Sequence, residues 1–340
     1  MLSWGVYRVN QSAQLMPSMT ISSDAPLALI IGITGQDGAY LAKHLLSEGR
    51  RVLGTSRDRE TARLDNLQWL GLVESVPIVS MAPNDFRSVF RIVNEARPSE
   101  IYNLSGQTSV GLSFEQPLEC FESISTATLN ILECLRMIDF PCRFFNAGSS
   151  ECFGDCSAPA SESTSFAPAS PYGIAKSTAF WQAAHYRSAY GIWVCTGILG
   201  NHESPFRGKR FVIRKIIDSV KSIVAGKQQQ LVLGNLDICR DWGWAPDYVR
   251  VMSMMLDATD PCDYVIGSGV SYRLRDFVDI IFDIADLVAD DYIVCSPNLH
   301  RPSDIRQTLL DPSKVHMALG WSTDYSLEFI AQKLWNNEFI

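Results

Sequence analysis

The sequence predicts an α/β fold: a Rossmann-type doubly wound parallel sheet with a smaller, mostly helical C-terminal lobe that holds substrate. Three observations carry this reading. The run Leu27–Ile31 is continuously apolar and of strand length, as expected of a central parallel strand covered on both faces. It runs into three glycines, Gly32, Gly35 and Gly38, ahead of an amphipathic helix over about 40–47. Beyond it, short apolar runs alternate with helical stretches as far as residue 199, the β-α-β-α order of a parallel sheet.

With 340 residues the chain suffices for one large α/β unit or two lobes sharing a cleft. Its 46% hydrophobic and 19% charged residues are those of an ordinary soluble globular protein. A net charge of −8 speaks against a nucleic-acid partner, and no apolar run approaches the ~20 residues of a membrane span. The nine cysteines are scattered through apolar or helical surroundings, and Cys152 and Cys156, the closest pair, lack the further ligands of a zinc site. They read as reduced thiols of a cytoplasmic protein without a metal. Residues 1–24 carry Ser and Gln and lack the apolar core of a secretory signal, so they read as a flexible extension, with Met16 and Met19 as alternative starts.

In the segment Gly32-Ile33-Thr34-Gly35-Gln36-Asp37-Gly38, glycines at a strand-to-helix turn let a pyrophosphate approach backbone amides at a helix N-terminus. The spacing is G-x-x-G-x-x-G rather than G-x-G-x-x-G, and a plain turn also uses glycines; the position between strand and helix favours the cofactor reading. The second strand, 51–55, ends at Ser56-Arg57-Asp58. Arg57 suits the 2′-phosphate of NADP, while Asp58 leaves NAD open. Strands over 77–80 and 101–104 follow, with a helix over 85–96 between them. Leu104, Ser105, Gln107 and Ser109 then lie at the C-terminal end of a strand, where open α/β sheets bind ligands. A helix over about 117–137 comes next.

Residues 144–176 carry the chemistry. An apolar strand ends at Ser149-Ser150-Glu151, and Ser170-Pro171 opens a helix in which Tyr172 and Lys176 are spaced i and i+4. That spacing puts phenol and ammonium on one helical face, where the cation lowers the phenol's pKa from ~10. Hydroxyl, carboxylate and phenol together point to oxidation at a carbinol with proton abstraction nearby. After a strand over 193–199, His202 and Glu203 lack any H-E-x-x-H pattern and read as a polar pocket lip. The stretch 206–215, with Arg207, Lys209, Arg210, Arg214 and Lys215, suits a diphosphate or a solvated surface. Arg240-Asp241-Trp242 precedes a helix over about 248–256, and the remainder reads as mostly helical.

These residues resemble the extended short-chain dehydrogenase/reductases, and within them the GDP-mannose 4,6-dehydratase family, from Leu27 onward. The resemblance rests on Gly-Ile-Thr-Gly-Gln-Asp-Gly at 32–38, Gly-Ile-Leu-Gly-Asn-His-Glu-Ser-Pro at 197–205, Gly-Asn-Leu-Asp at 234–237 and Arg-Asp-Trp at 240–242. It implies that Tyr172 takes the proton of the sugar C4 hydroxyl, that Lys176 holds the nicotinamide ribose, and that Glu151 removes the C5 proton. Ser149 stands where the family has Thr. Ser150 stands where the related dTDP-glucose enzymes have Asp, which favours a GDP-sugar. His202 and Arg207 match positions near the NADP phosphate. Asn201, Lys215, Arg240, Arg301 and Asp304 match positions that bind the GDP-sugar, Asp304 in place of Glu. Ala82-Pro83 stands where an adenine-contacting Asp is expected, and Asp58 where a second Arg is expected.

The implied reaction converts GDP-mannose to GDP-4-keto-6-deoxy-mannose by C4 oxidation, loss of water across C5–C6 and hydride return to C6. GDP-manno-heptose is the alternative substrate; a 4-reductase or epimerase of the same fold, or an NADP(H)-sensing regulator, is the alternative class. Glu151 discriminates, because a reductase or epimerase needs only the hydroxyl, Tyr and Lys. The resemblance also implies a homodimer or homotetramer. Residues 25–200 form mainly the cofactor domain, rejoined by 236–258, and 201–235 with 259–340 mainly the nucleotide-sugar lobe.

Overall fold

A computed structural model describes residues 22, 24–299, 301–323 and 325–339. Apart from Ser22 and Asp24, the expected extension over 1–24 lies outside the described residues.

Strand β1 (Leu27–Ile31) leads through the glycine turn into α1 (Gln36–Ser47), then β2 (Arg51–Ser56), α2 (Asp65–Trp69) and β3 (Ile78–Ser80). Helix α1 begins at Gln36, inside the glycine segment, so Gly38 is helical rather than part of the turn. Helix α3 (Phe86–Ala96) starts after Asp85, whose side chain accepts from the Arg87 amide at 3.1 Å. It precedes β4 (Glu100–Asn103).

The expected helix over 117–137 is interrupted. After α4 (Val110–Glu115), α5 (Pro117–Phe121) and α6 (Ala127–Met137) are joined by a π-helical turn, Glu122–Thr126. That turn has a positioning consequence: Ser123 Oγ accepts from the Gln107 amide at 3.1 Å, tying the loop after β4 to the helix. Strand β5 (Arg143–Ala147) and a 3-10 turn (Ser150–Cys152) precede α7 (Pro171–Tyr190). Pro171 opens α7, Ser170 Oγ accepts from the Gly173 amide at 3.0 Å, and left-handed Gly191 ends the helix.

Strands β6 (Val194–Leu199) and β7 (Asn201–Glu203), helix α8 (Val212–Val224) and strands β8 (Leu231–Leu233), β9 (Cys239–Arg240) and β10 (Trp242–Trp244) follow. The chain continues as α9 (Ala245–Asp257), β11 (Tyr264–Ile266), β12 (Tyr272–Arg273), α10 (Leu274–Ile284), β13 (Ile293–Cys295), α11 (Ser313–Leu319) and α12 (Leu327–Asn336).

Seven strands form one parallel sheet in the order β3-β2-β1-β4-β5-β6-β11. The chain winds outward from β1 to β3, then returns to β4 and winds the other way. Strands β1 and β4 therefore flank the crevice where direction reverses. Alternate residues of β1 serve opposite faces: Ala28 and Ile30 pack with α1 and α9, Leu29 and Ile31 with α3 and α6. Double coverage is the physical reason for the uninterrupted apolar run.

A second apolar core gathers α8, α10, α12 and strands β8 and β10. This lobe is helical but also carries the two-stranded pairs β8/β13 and β9/β12, with β7/β10 at its root. One expectation needs correction. Tyr264–Ile266 falls in the stretch assigned mainly to the lobe, yet it pairs with Gly197–Leu199 as an edge of the large sheet. Val315, Trp321 and α9 pack behind it in the sheet's own core.

Candidate active site

Two adjoining clefts open at the C-terminal ends of the strands. The larger, about 710 Å³, is lined by Gly32, Thr34, Gly35, Gln36, Asp37, Gly38, Arg57, Leu104, Ser105 and Gln107. Its floor depends on close backbone approach. Gly32 holds φ +95°, and a Cβ there would fall 2.8 Å from the Leu104 carbonyl oxygen; one on Gly38 would fall 2.4 Å from the Gly32 oxygen. No larger side chain fits either place, and the arrangement brings the N-terminus of α1 to the cleft wall.

The smaller cleft, about 340 Å³, brings together Ser149, Ser150, Glu151, Tyr172 and Lys176 with Ser109, Asn201, His202, Lys215, Arg240, Arg301 and Asp304. Both clefts share Asp37, Leu104, Ser105, Arg207 and Phe211, so they form one continuous hollow. Of the candidates from the sequence, all but Asp58, Lys209 and Arg214 line one or the other.

Lys176 Nζ donates to the Ala147 carbonyl at 2.6 Å and lies 5.8 Å from the centre of the Tyr172 ring. Burial lowers the Lys176 ammonium to about 8. Burial likewise pushes the Tyr172 phenol up, against the Ser149 hydroxyl hydrogen bond, which pulls it down, while the Glu151 carboxyl adds to the rise. The expectation that Lys176 draws the phenol down is therefore not what the polypeptide alone produces: desolvation dominates, and the cation that opposes it is Arg207. Burial also raises the Glu151 carboxyl, opposed by the Arg240 and Arg301 guanidinium groups and aided by Asp304. Ser149 Oγ accepts from the Glu151 amide at 3.3 Å, which fixes the turn that presents the carboxyl.

The lobe delivers its cations through a shared carboxylate. Asp304 Oδ1 lies 3.1 Å from both Arg240 Nη2 and Arg301 Nη1, and Arg240 Nη1 also donates to the Ile305 and Cys239 carbonyls at 2.8 and 2.9 Å. Arg240 is thus held rigidly on buried backbone. Lys215 Nζ donates to the Val232 carbonyl at 2.6 Å. The basic stretch 206–215 divides: Arg207, Arg210 and Lys215 line the smaller cleft, whereas Arg214 turns back to the Pro205 carbonyl at 2.8 Å and Asp218 at 2.9 Å.

His202 and Glu203 are pocket wall. His202 Nε2 lies 3.0 Å from Asp37 Oδ2 and Nδ1 lies 2.8 Å from the Gly200 carbonyl, while the ring stacks on Tyr248 at 4.5 Å. Burial alone would raise Asp37 and lower His202, but their mutual attraction wins, holding the carboxyl down and the imidazole up. Glu203 lies 3.3 Å from Arg207, whose guanidinium sits 3.7 Å over the Phe211 ring. The Asp37–His202 pair has no local signature, because 165 residues separate the partners. The apolar wall of Leu233, Ile238, Leu274 and Leu299 was equally absent from the candidates, being assembled from separate pieces of the lobe.

Arg57 lines the larger cleft with its side chain 81% exposed. Asp58 does not line it: Oδ1 accepts from the Glu60 amide and Oδ2 from the Thr61 hydroxyl, both at 2.9 Å. In place of the expected Asp, Met81, Pro83 and Asn84 form the neighbouring wall.

The family model described as GDP-mannose 4,6 dehydratase matches residues 29–334. The chain belongs to the GDP-mannose 4,6-dehydratase family. It is 37% identical over 325 residues to GDP-mannose 4,6 dehydratase 2 of Arabidopsis thaliana, covering 93% of this chain and 87% of that relative. It is 38% identical over 337 residues to the GDP-mannose 4,6-dehydratase of Yersinia enterocolitica, covering 88% and 90%. Among solved structures, the dTDP-glucose 4,6-dehydratase of Bacillus anthracis in complex with NAD superposes with a TM-score of 0.79 at 18% identity, covering 92% of this chain and 96% of that one. That likeness is one of fold, and it extends over both the sheet and the lobe of this GDP-mannose 4,6-dehydratase family member.

Proposed function

We propose that the protein is a nucleotide-sugar 4,6-dehydratase that converts GDP-mannose to GDP-4-keto-6-deoxy-mannose with a bound nicotinamide cofactor. The observation that carries this reading is Glu151, whose carboxyl shares one cleft with Ser149, Tyr172 and Lys176. The family relatives named for the same reaction support it.

The larger cleft fits a dinucleotide: the glycine floor admits backbone approach, and the α1 N-terminus favours a pyrophosphate. A nicotinamide cofactor held there supplies the hydride acceptor for C4 and the hydride donor for C6. We propose NADP, because Arg57 lines the cleft while Asp58 is engaged in its own turn. Lys176 and Tyr172 would hold the nicotinamide ribose.

Tyr172, beside Ser149 in the cleft, would take the C4 hydroxyl proton as the phenolate, the form that Lys176 and the positive nicotinamide of a bound cofactor would favour against its burial. Once C4 is a ketone, the C5 proton is acidified and passes to Glu151. Its raised pKa suits the return of that proton to the departing C6 hydroxyl, which leaves as water. Arg240, Arg301 and Lys215 would hold the diphosphate, with Asp304 orienting both guanidinium groups.

The test is incubation of the purified protein with GDP-mannose and no added cofactor, followed by mass measurement. Loss of one water is expected. Two extra hydrogens appearing only with added NADPH would overturn the dehydratase reading in favour of a reductase. We further propose a homo-oligomer in a reducing, cytoplasmic compartment, supported by exposed Leu118, Ile174 and Trp181 on α5 and α7 and by nine unpaired cysteines. Light scattering tests the first.

A further inference from the structure

We propose that Phe339 is a positioning residue for the nicotinamide cofactor, the central ring of an aromatic strap that holds the walls of the larger cleft together. The inference rests on the cofactor reading above and goes beyond it, because Phe339 lines neither the larger nor the smaller cleft.

The strap is aimed by the turn that precedes it. Helix α12 buries Leu327, Ile330, Ala331 and Leu334 in the lobe's core. Asn337, in the left-handed region at φ 60°, then turns the chain out of the helix, and its amide bonds back to α12 carbonyls. Glu338 is pinned from three sides: its amide donates to the Lys333 carbonyl at 3.0 Å, its carboxylate accepts from Lys333 Nζ at 2.6 Å, and Asn336 Nδ2 donates to it at 2.9 Å. So fixed, the chain delivers the Phe339 ring between two others.

Phe339 stacks on Trp69 at 5.0 Å with 16° between the planes, and lies 5.1 Å from Phe206 at 33°. Phe206 continues the row to Tyr40 of α1 at 4.9 Å. Phe206 lines the larger cleft itself, and Trp69 and Tyr40 belong to helices α2 and α1, which contribute Asn66 and Gln36 to its lining. Trp69 ends α2, whose Asn66 donates to the Thr34 carbonyl of the glycine segment at 3.0 Å and lines the cleft. Phe206 lines the cleft directly, next to Arg207. The rings therefore join three separate parts of the chain: the α1–α2 wall, the loop after β7, and the lobe.

Trp69 remains 66% exposed, so burial of that indole is not the contact's main effect. What the stack does is restrain movement of α2 against the 206–211 loop, the motion that would open the larger cleft. A third hollow, about 870 Å³, is lined by Trp69 and Phe339 and shares Asn66, Gln107, Phe206 and Arg207 with the larger cleft, so the stack stands where the two hollows meet. A reaction that borrows a hydride and returns it gains from slow cofactor release, since departure in mid-cycle strands a half-converted sugar.

The experiment loads wild type, Phe339→Ala, Phe339→Tyr and Trp69→Ala with NADPH, chases with excess NADP, and follows nicotinamide fluorescence. Loss of two ring contacts should speed release by about tenfold in Phe339→Ala, with near wild-type release in Phe339→Tyr. Trp69→Ala combined with Phe339→Ala should release no faster than the more affected single variant, because both break one stack. Release from Phe339→Ala within about twofold of wild type, with a lower melting temperature of the cofactor-free protein, would assign Phe339 a structural role only and overturn the proposal. Failure of wild type to bind NADPH or NADH would overturn the cofactor reading itself, which makes the two failures separable.

Discussion

The Lys176 ammonium lies 5.8 Å from the Tyr172 ring centre while it donates to the Ala147 carbonyl at 2.6 Å. Burial acts on the two groups in opposite senses, bringing Lys176 down from 10.5 to about 8 and pushing Tyr172 up. A lysine with a folded pKa below its unfolded one binds fewer protons when folded, so it costs stability where the unfolded chain is charged. That cost is relieved as pH rises from about 8 toward 10.5. Urea unfolding of wild type and Lys176→Met between about pH 8 and pH 9.5 should show wild type gaining on the variant, by up to roughly 1.4 kcal/mol per pH unit. A difference that stays flat with pH would show that Lys176 is not desolvated.

Glu151 and Tyr172 should separate the two chemical stages. Glu151→Gln keeps the shape but cannot take a proton, so it should retain C4 oxidation and lose dehydration by about 10²–10⁴-fold. Tyr172→Phe should stop both. Mass measurement of the sugar nucleotide, together with the absorbance of reduced nicotinamide on the protein, distinguishes these outcomes. Full dehydration by the Gln variant would remove Glu151 from its assigned role.

Arg57 offers a test of cofactor choice. Its side chain is exposed on the cleft wall and its nearest carboxylate, Glu119, stands 3.8 Å away. Arg57→Ala should weaken NADP by about tenfold or more, as expected for a charge-assisted bond to a 2′-phosphate, and leave NAD nearly unchanged. Calorimetric titration with both dinucleotides measures this. Equal loss for the two would show that Arg57 reads no phosphate.

The Asp37–His202 pair should matter to stability. His202→Ala leaves the half-buried Asp37 carboxylate with only the Gln36 amide and the more distant Arg207 as partners, at a cost of about 1–3 kcal/mol. Adding Asp37→Asn should recover part of that loss, because the uncompensated charge is removed. The imidazole's contribution is complete below its ordinary pKa of 6.5 and fades as pH rises through its raised folded value; that of the carboxyl fades as pH falls through its lowered one. Chemical denaturation across acid to mildly alkaline pH should therefore show a pH-dependent gap between wild type and His202→Ala. An identical pH profile in both proteins would exclude the ion pair.

Much of the candidate site is legible in the sequence. The apolar run Leu27–Ile31 and the three glycines after it marked the first strand and the cofactor turn, because double burial and close backbone approach leave direct traces in residue type. Tyr172 and Lys176 were paired by helical spacing, and Ser170-Pro171 marked the helix start that sets their direction. Less legible was the edge strand Tyr264–Ile266, whose three residues are too short for a periodic signal and whose partner strand lies far upstream. The π-helical turn at Glu122–Thr126 left no trace either, since its residues suit an α-helix equally well.

By itself the sequence carried the β-α alternation of the main sheet, the candidate groups at 149–151, 172 and 176, and the family. Those depend on local pattern: residue type, spacing along one helix, and motifs in order. The tertiary structure decided which charges meet and what their surroundings do to them. It joined Asp37 to His202 and Arg240 to Asp304, turned Arg214 away from the cleft, and set Phe339 against Trp69. It also set the direction for Tyr172, because the depth of burial is a property of the packed chain and pushes the phenol up.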